Sequence, residues 1–260
     1  MTEGRICLDI DGAVATITID NPDRRNAVSL AMWRQLIAAA DSIEDTVRCV
    51  VVQGAGTAAF AAGADISEFR ENRGSAEANA QYDKVSGQAL ARLHALRQPT
   101  IAKISGYCLG AGVAIALSCD MRIVSDTALF AVPAARLGLG YPAVEMAKLL
   151  NVVNAPVAKE FLFTARRFSA TEAAAVGLVN RVCRADDLDG VVADMAKTIA
   201  ANAPLSVRAA KATIRDLSAG WEILDVSASE DLVSACYESA DYREGTSAFL
   251  EKRVPQFKGC

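Results

Sequence analysis

Thr100-Ile-Ala-Lys-Ile104-Ser-Gly106-Tyr-Cys-Leu-Gly110-Ala-Gly112-Val-Ala-Ile-Ala-Leu-Ser118 packs three kinds of local structure into nineteen residues. A β-branched run follows Pro99 and reads as a buried strand over Thr100 to Ile104. Three glycines then form a turn, and the apolar run from Val113 to Ser118 reads as a helix. Strand, glycine turn and helix in immediate succession point to an α/β chain. The turn presents backbone N–H groups at a helix start, where partial positive charge can meet an oxyanion or a phosphate. Its spacing, G-x-x-x-G-x-G, is neither the dinucleotide fingerprint nor a P-loop. Close backbone packing is the plainer reading of the pattern by itself.

Upstream, Ile6 to Ile10 and Val14 to Ile19 are partly alternating runs around Asp11-Gly12, a hairpin signal. Ser29 is a candidate N-cap for a helix whose apolar face is Trp33, Leu36, Ile37, Ala40 and Ile43. Arg48 to Gln53 reads as a buried strand ended by Gly54-Ala-Gly56, and helical spacing spans Ala76 to Leu96. The rounds of strand and helix fit a doubly wound sheet or a spiral of ββα turns equally well. From about Ala193 strands stop, and Asp194 to Ala203, Ser206 to Leu217 and Ile223 to Ser239 read as helices. The expected organisation is a core over 1–193 and a helical region over 194–260.

The chain has 260 residues, 52% of them hydrophobic, enough for one large core. A formal charge of -4 and the lack of basic runs argue against a nucleic-acid or membrane-surface partner. Seven cysteines without a C-x-x-C pair indicate neither a zinc site nor a disulfide framework. With no apolar leader or spanning stretch, the expectation is a soluble cytoplasmic protein.

Three segments in order carry a family likeness: Ala59-Phe-Ala-Ala-Gly-Ala-Asp-Ile66, Ser105 to Ile115, and Leu129-Phe-Ala-Val-Pro-Ala-Ala-Arg-Leu-Gly138. Asn21-Pro22-Asp-Arg-Arg-Asn26-Ala27, Ala174 to Asn180 after Thr164, and Glu244 to Phe257 extend it over nearly the whole chain. The chain resembles the enoyl-CoA hydratase/isomerase (crotonase) superfamily. The resemblance implies a spiral of ββα turns, a helical C-terminal region, an acyl-CoA substrate with no further cofactor, and a homotrimer or dimer of trimers. It also implies an oxyanion hole made by the N–H groups of Ala64 and Ala111. Ala62, Ala64, Asp65, Ile66 and Ser67 would hold CoA, with Phe249 and Lys252 over the nucleotide, from a neighbouring subunit or the same one. By charge, Arg24 and Arg25 are phosphate partners or a solvated basic loop.

The family's hydratases place glutamates at two positions that are Ala114 and Ala134 here. Alanine neither gives nor takes a proton, and water addition to an enoyl thioester needs both operations. Hydration by the usual route is therefore not expected, whereas CoA binding is. In the loop after Pro133 the chain resembles the decarboxylase-like and dehalogenase-like branches, which makes Tyr141 a candidate donor and Glu145 a candidate base. Against these roles, Tyr141 could only close a buried loop, and Glu145 opens a helix where an acid is favoured anyway. His94 reads as a solvated or capping residue, Cys108 as a small buried thiol and Asp120 as a turn former. The reaction left open is isomerisation, decarboxylation or another lyase step, and the reading from a different class is a CoA-thioester-binding protein without turnover.

Overall fold

The computed structural model describes residues 3–65, 76–218 and 227–260. Strands β1 (Arg5–Asp11) and β2 (Val14–Asp20) form the expected antiparallel hairpin, with Gly12 at φ 56° in its turn. In β2 the alternation seen in sequence is physical: Ala15, Ile17 and Ile19 are fully buried and their neighbours are not. Helix α1 (Leu30–Asp41) follows, and Ser29 caps it by accepting from the Met32 N–H at 3.2 Å.

Three rounds of long strand, short strand and helix come next. They are β3 (Cys49–Gly54), β4 (Ala59–Ala61) and α2 (Ala76–His94); β5 (Thr100–Ile104), β6 (Tyr107–Leu109) and α3 (Ala111–Leu117); β7 (Met121–Ser125), β8 (Leu129–Ala131) and α4 (Ala143–Leu150). Long strands join long strands and short ones join short ones. One sheet runs β1-β2-β3-β5-β7-β10 and the other β4-β6-β8-β9, with β9 at Phe168–Ser169 and β10 at Arg181–Cys183. Beyond the hairpin every pairing is parallel except β8 with β9. The chain thus climbs as a spiral of ββα turns, which decides between the two readings that the pattern left open.

The long strands are apolar without a break because both faces are covered. Val50, Val52, Ala102 and Ile104 point into the main core, whereas Cys49, Val51, Ile101 and Ile123 meet Leu188, Val192 and Ala196. Those last three lie on α7 (Leu188–Ala201), after α5 (Ala155–Thr164) and α6 (Ala170–Ala175). Helix α7 begins at Leu188, earlier than the expected Asp194, because its Leu188, Val192 and Ala196 stripe packs on the sheet. Helices α8 (Pro204–Ser218), α9 (Ser227–Glu238) and α10 (Ala240–Glu251) complete the C-terminal region, and the start of the helix expected from Ile223 lies outside the described residues.

Two glycines bind the turns of the spiral tightly together. A Cβ on Gly106, which sits at φ +60°, would lie 2.1 Å from the Ala58 carbonyl oxygen, and one on Gly112 would lie 2.3 Å from that of Ala61. Both approaches are far closer than any side chain tolerates. The packing reading of the glycine turn is correct for these positions. Among the described residues no helix is long and apolar enough to cross a membrane.

Candidate active site

The turns after β4 and β6 meet over a cavity of about 280 Å³. Parallel pairing of the two short strands sets them side by side, and a Cβ on Gly110 would touch the Gly63 Cα at 3.8 Å. Val28 locks the first turn, donating its N–H to the Gly63 carbonyl at 2.9 Å and accepting from the Asp65 N–H at 3.0 Å. Those bonds bracket Ala64, whose own N–H has no backbone acceptor among the described residues. In the second turn Gly110 donates to the Ala131 carbonyl at 2.8 Å, and intrahelical bonding starts only with Ala114 donating to Gly110 at 3.1 Å. The Ala111 N–H is therefore an orphan of the first turn of α3. Ala62, Ala64 and Ala111 all line the cavity.

Ala114, one turn into α3, and Ala134, in the short 3-10 turn Pro133–Arg136, line the same cavity. Their methyl groups leave open space that longer side chains would fill. Tyr141 and Glu145 line it too. Pro142 restricts Tyr141 to an extended backbone and occupies the N-cap of α4 at φ -62°, ψ 141°. The turn brings Glu145 onto the inward face of α4, with Lys148 and Leu149 at the spacings of one helical face.

Tyr141 Oη and Glu145 Oε2 are the buried side-chain polar atoms without a hydrogen-bond partner among the described residues. An orphaned buried polar atom costs about 1–3 kcal/mol, and two on residues lining one cavity mark a place where something else completes the bonding. Burial, then the neighbouring Glu145 charge, hold the Tyr141 phenol well above its usual range, so it stays a neutral donor. Burial also raises the Glu145 carboxyl, against the pull of Lys148. Lys148 Nζ lies 3.2 Å from Glu145 Oε1 and 2.9 Å from Ser118 Oγ. Asp83 and Glu145 are the charged groups among the described residues lining the cavity.

The remaining candidates fall elsewhere. Asp65 is buried and takes an ion pair from Arg24, which ties that arginine to the turn rather than leaving it loose in a solvated loop. Arg25 stacks over the Tyr107 ring at 5.3 Å, as does Arg167. Ile66 and Ser67 lie outside the described residues. Phe249 lines an apolar groove with Phe257 and Leu250, and Lys252 caps α10, so neither reaches the cavity within one chain. His94 ends α2, away from the cavity, and burial followed by Lys148 and Lys211 lowers its pKa. Burial raises the Cys108 thiol, which keeps it inert. Asp120 corrects its expected role: its Oδ2 accepts from the Thr100 N–H at 2.7 Å and pairs with Lys211, joining β5 to α8 instead of shaping the next turn.

Sequence reasoning passed over Lys148, although Glu145-x-x-Lys148 is an i,i+3 ion-pair spacing. It also read Trp33 only as a core position, whereas the ring lines the cavity and its Nε1–H donates to Tyr82 Oη at 2.8 Å.

Tyr141→Phe removes an orphaned hydroxyl and keeps the ring. The variant is expected to melt at or slightly above the wild-type temperature, by up to about 1 kcal/mol in stability, while losing catalytic rate. A melting scan run beside an activity assay separates a site donor from a structural phenol.

The family model for enoyl-CoA hydratase/isomerase matches residues 9–260. A short-chain-enoyl-CoA hydratase of Clostridium acetobutylicum is 33% identical over 97% of each chain. Among solved structures, an enoyl-CoA hydratase/carnithine racemase from Magnetospirillum magneticum superposes with a TM-score of 0.93 at 40% identity, covering 98% of this chain and 96% of that one. An enoyl-CoA hydratase from Bacillus anthracis does so at 0.89 and 31% identity, covering 98% and 99%. With a whole-length match of this kind and the spiral that bears it out, the chain belongs to the enoyl-CoA hydratase/isomerase family.

Proposed function

We propose that this acyl-CoA enzyme moves a proton at the carbon next to the thioester of a short acyl group, as in the shift of a 3-enoyl to a 2-enoyl thioester. The observation that carries the reading is the pair of orphaned atoms, Tyr141 Oη and Glu145 Oε2, on residues that line one cavity with Ala64 and Ala111. The thioester oxygen accepts from the N–H groups of Ala64 and Ala111, each donor contributing about 3 kcal/mol as charge develops. Glu145 takes a proton from C2, the electron pair spreads into the thioester as a dienolate, and the same carboxyl returns the proton at C4. The carbonyl re-forms, and nothing is consumed. Tyr141 supplies a neutral donor beside the carboxyl.

One carboxyl suffices for this shift, whereas hydration asks for an acid and a base at positions occupied by Ala114 and Ala134. The test is spectroscopic. With vinylacetyl-CoA (3-butenoyl-CoA) the absorbance of a conjugated thioester is expected to grow at least 10²-fold faster than without enzyme. No growth over the enzyme-free rate would defeat the reading.

Assembly enters the same proposal. Phe249, Leu250 and Val254 are each at least 80% exposed at the C-terminal end, an apolar face suited to the trimer that the resemblance implies.

A further inference from the structure

Glu145 has two oxygens with opposite fates. Oε2 is buried with no hydrogen-bond partner among the described residues, while Oε1 accepts from Lys148 Nζ at 3.2 Å. Lys148 does not line the cavity and is nearly as buried as its partner, with side-chain exposures of 11% and 7%. The ammonium also donates to Ser118 Oγ at 2.9 Å, and the Ser118 hydroxyl donates to the Ala114 carbonyl at 2.9 Å. Ser118 ends the helix whose first residue is Ala111. The chain of bonds therefore runs from the carboxylate to the helix that carries one of the two orphaned N–H groups.

Resting on the proton-transfer reading above, we propose that Lys148 is a positioning residue for Glu145: anchored by Ser118 to α3, it holds Oε1, fixes the carboxyl in the cavity wall and supplies its countercharge. Without that anchor the carboxyl could turn, and the distance from base to substrate carbon would no longer be set by α3. Proton transfer is sensitive to such errors, since a displacement of about 1 Å can cost roughly 10²-fold.

The charged and titratable surroundings make the effect readable. On its own helix Glu145 has Lys148, and in the preceding loop Tyr141, held neutral by burial. Asp83 of α2 also lines the cavity, and on β6 the Cys108 thiol is also kept neutral by burial. Helix α3 has no charged residue, Lys159 and Glu160 of α5 are exposed, and His94 is held below its usual range by burial and by Lys148 and Lys211. Lys148 is thus the cation beside Glu145 among these groups. Burial raises the carboxyl and Lys148 opposes that rise by charge and by hydrogen bond. Deleting the ammonium leaves burial unopposed, so Glu145 must lose its proton at a higher pH before it can act as a base.

The experiment follows exchange of the α-protons of butyryl-CoA in deuterated water across pH, by mass spectrometry, for the wild type, E145Q, K148M and K148R. The wild-type rate is expected to rise with pH through the Glu145 ionisation, and E145Q to lose most of it. For K148M the midpoint moves upward by about one pH unit or more, with a lowered plateau, and K148R restores the profile to within roughly threefold. A K148M midpoint equal to that of the wild type, with or without a lower plateau, marks a merely structural lysine and overturns the proposal. If K148M does not fold, K148Q, which also removes the ammonium, decides: an upward midpoint supports the proposal and a wild-type midpoint refutes it. E145Q exchanging as fast as the wild type would instead defeat the base assignment itself, a failure distinct from that of Lys148.

Discussion

Glu145→Gln is expected to lower the rate of vinylacetyl-CoA isomerisation by about 10²–10⁴-fold, the usual worth of a positioned acid or base. Binding of the CoA thioester should change little, because the amide keeps the shape and the hydrogen-bonding reach of the carboxyl. The same substitution removes a charge whose burial is only half compensated, since Lys148 meets Oε1 and nothing among the described residues meets Oε2. Stability is therefore not expected to collapse, although Lys148 is left with an uncharged partner. The pH profile carries the sign. Glu145 must be ionised to take a proton and its folded pKa is raised by burial, so wild-type activity climbs as pH rises through that raised value and is lost below it. Stopped-flow or steady-state rates for the two proteins at matched pH check both statements. A glutamine variant retaining more than a tenth of the wild-type rate would place the base elsewhere.

Gly112→Ala is expected to do comparable damage without touching any acid or base. The added methyl would lie 2.3 Å from the Ala61 carbonyl oxygen and 3.1 Å from the Ala61 Cβ, and the backbone there belongs to the second sheet. Relief requires α3 to move away from β4 by the better part of an ångström. That movement separates the N–H of Ala111 from the N–H of Ala64, which the adjacent strands hold together. Overpacking of this kind costs about 1–3 kcal/mol in stability, and a misplaced donor pair costs roughly 10²-fold in kcat/KM. Gly190→Ala is the control, since nothing lies within 4 Å of its would-be Cβ and the site is within a helix, so it should be neutral or stabilising by up to about 1 kcal/mol. Thermal melts and kcat/KM for the pair give the comparison. A Gly112→Ala protein as active as the wild type would contradict the close approach of the two turns.

The scaffold was legible in the sequence where one period dominates. The alternation of Val14 to Ile19, the unbroken apolar run at Cys49 to Val52 and the Ser29 cap each correspond to one physical cause: a half-buried strand, a doubly covered strand and an orphaned helix start. The short strands were not legible as strands, because three residues, as at Ala59–Ala61 or Leu129–Ala131, are too few to show a period. The start of α7 was misplaced for a related reason: its apolar stripe answers to the back of the sheet, and the acidic turn before it reads locally as loop.

Within the site, the two turns were legible because glycine spacing reports a turn, and the donor role of Ala64 and Ala111 came only from the family resemblance, whereas the burial of Glu145 was not legible. An acid in the first turn of a helix looks like a dipole partner in water, and only tertiary packing puts this one 5% exposed against a cavity. Lys148 and Ser118 are thirty residues apart, so no local pattern could join them. Asp120 was misread by the same limit, its partners being Thr100 and Lys211.

The central claim is that proton chemistry in this cavity has moved away from the positions held by Ala114 and Ala134. The most direct measurement is the rate at which the purified protein hydrates crotonyl-CoA, followed as loss of conjugated thioester absorbance beside an enzyme-free control. The account predicts a rate at background while the thioester still binds. Turnover at ~1 s⁻¹ or faster, within the range of working enzymes, would contradict it and show that other groups handle the water.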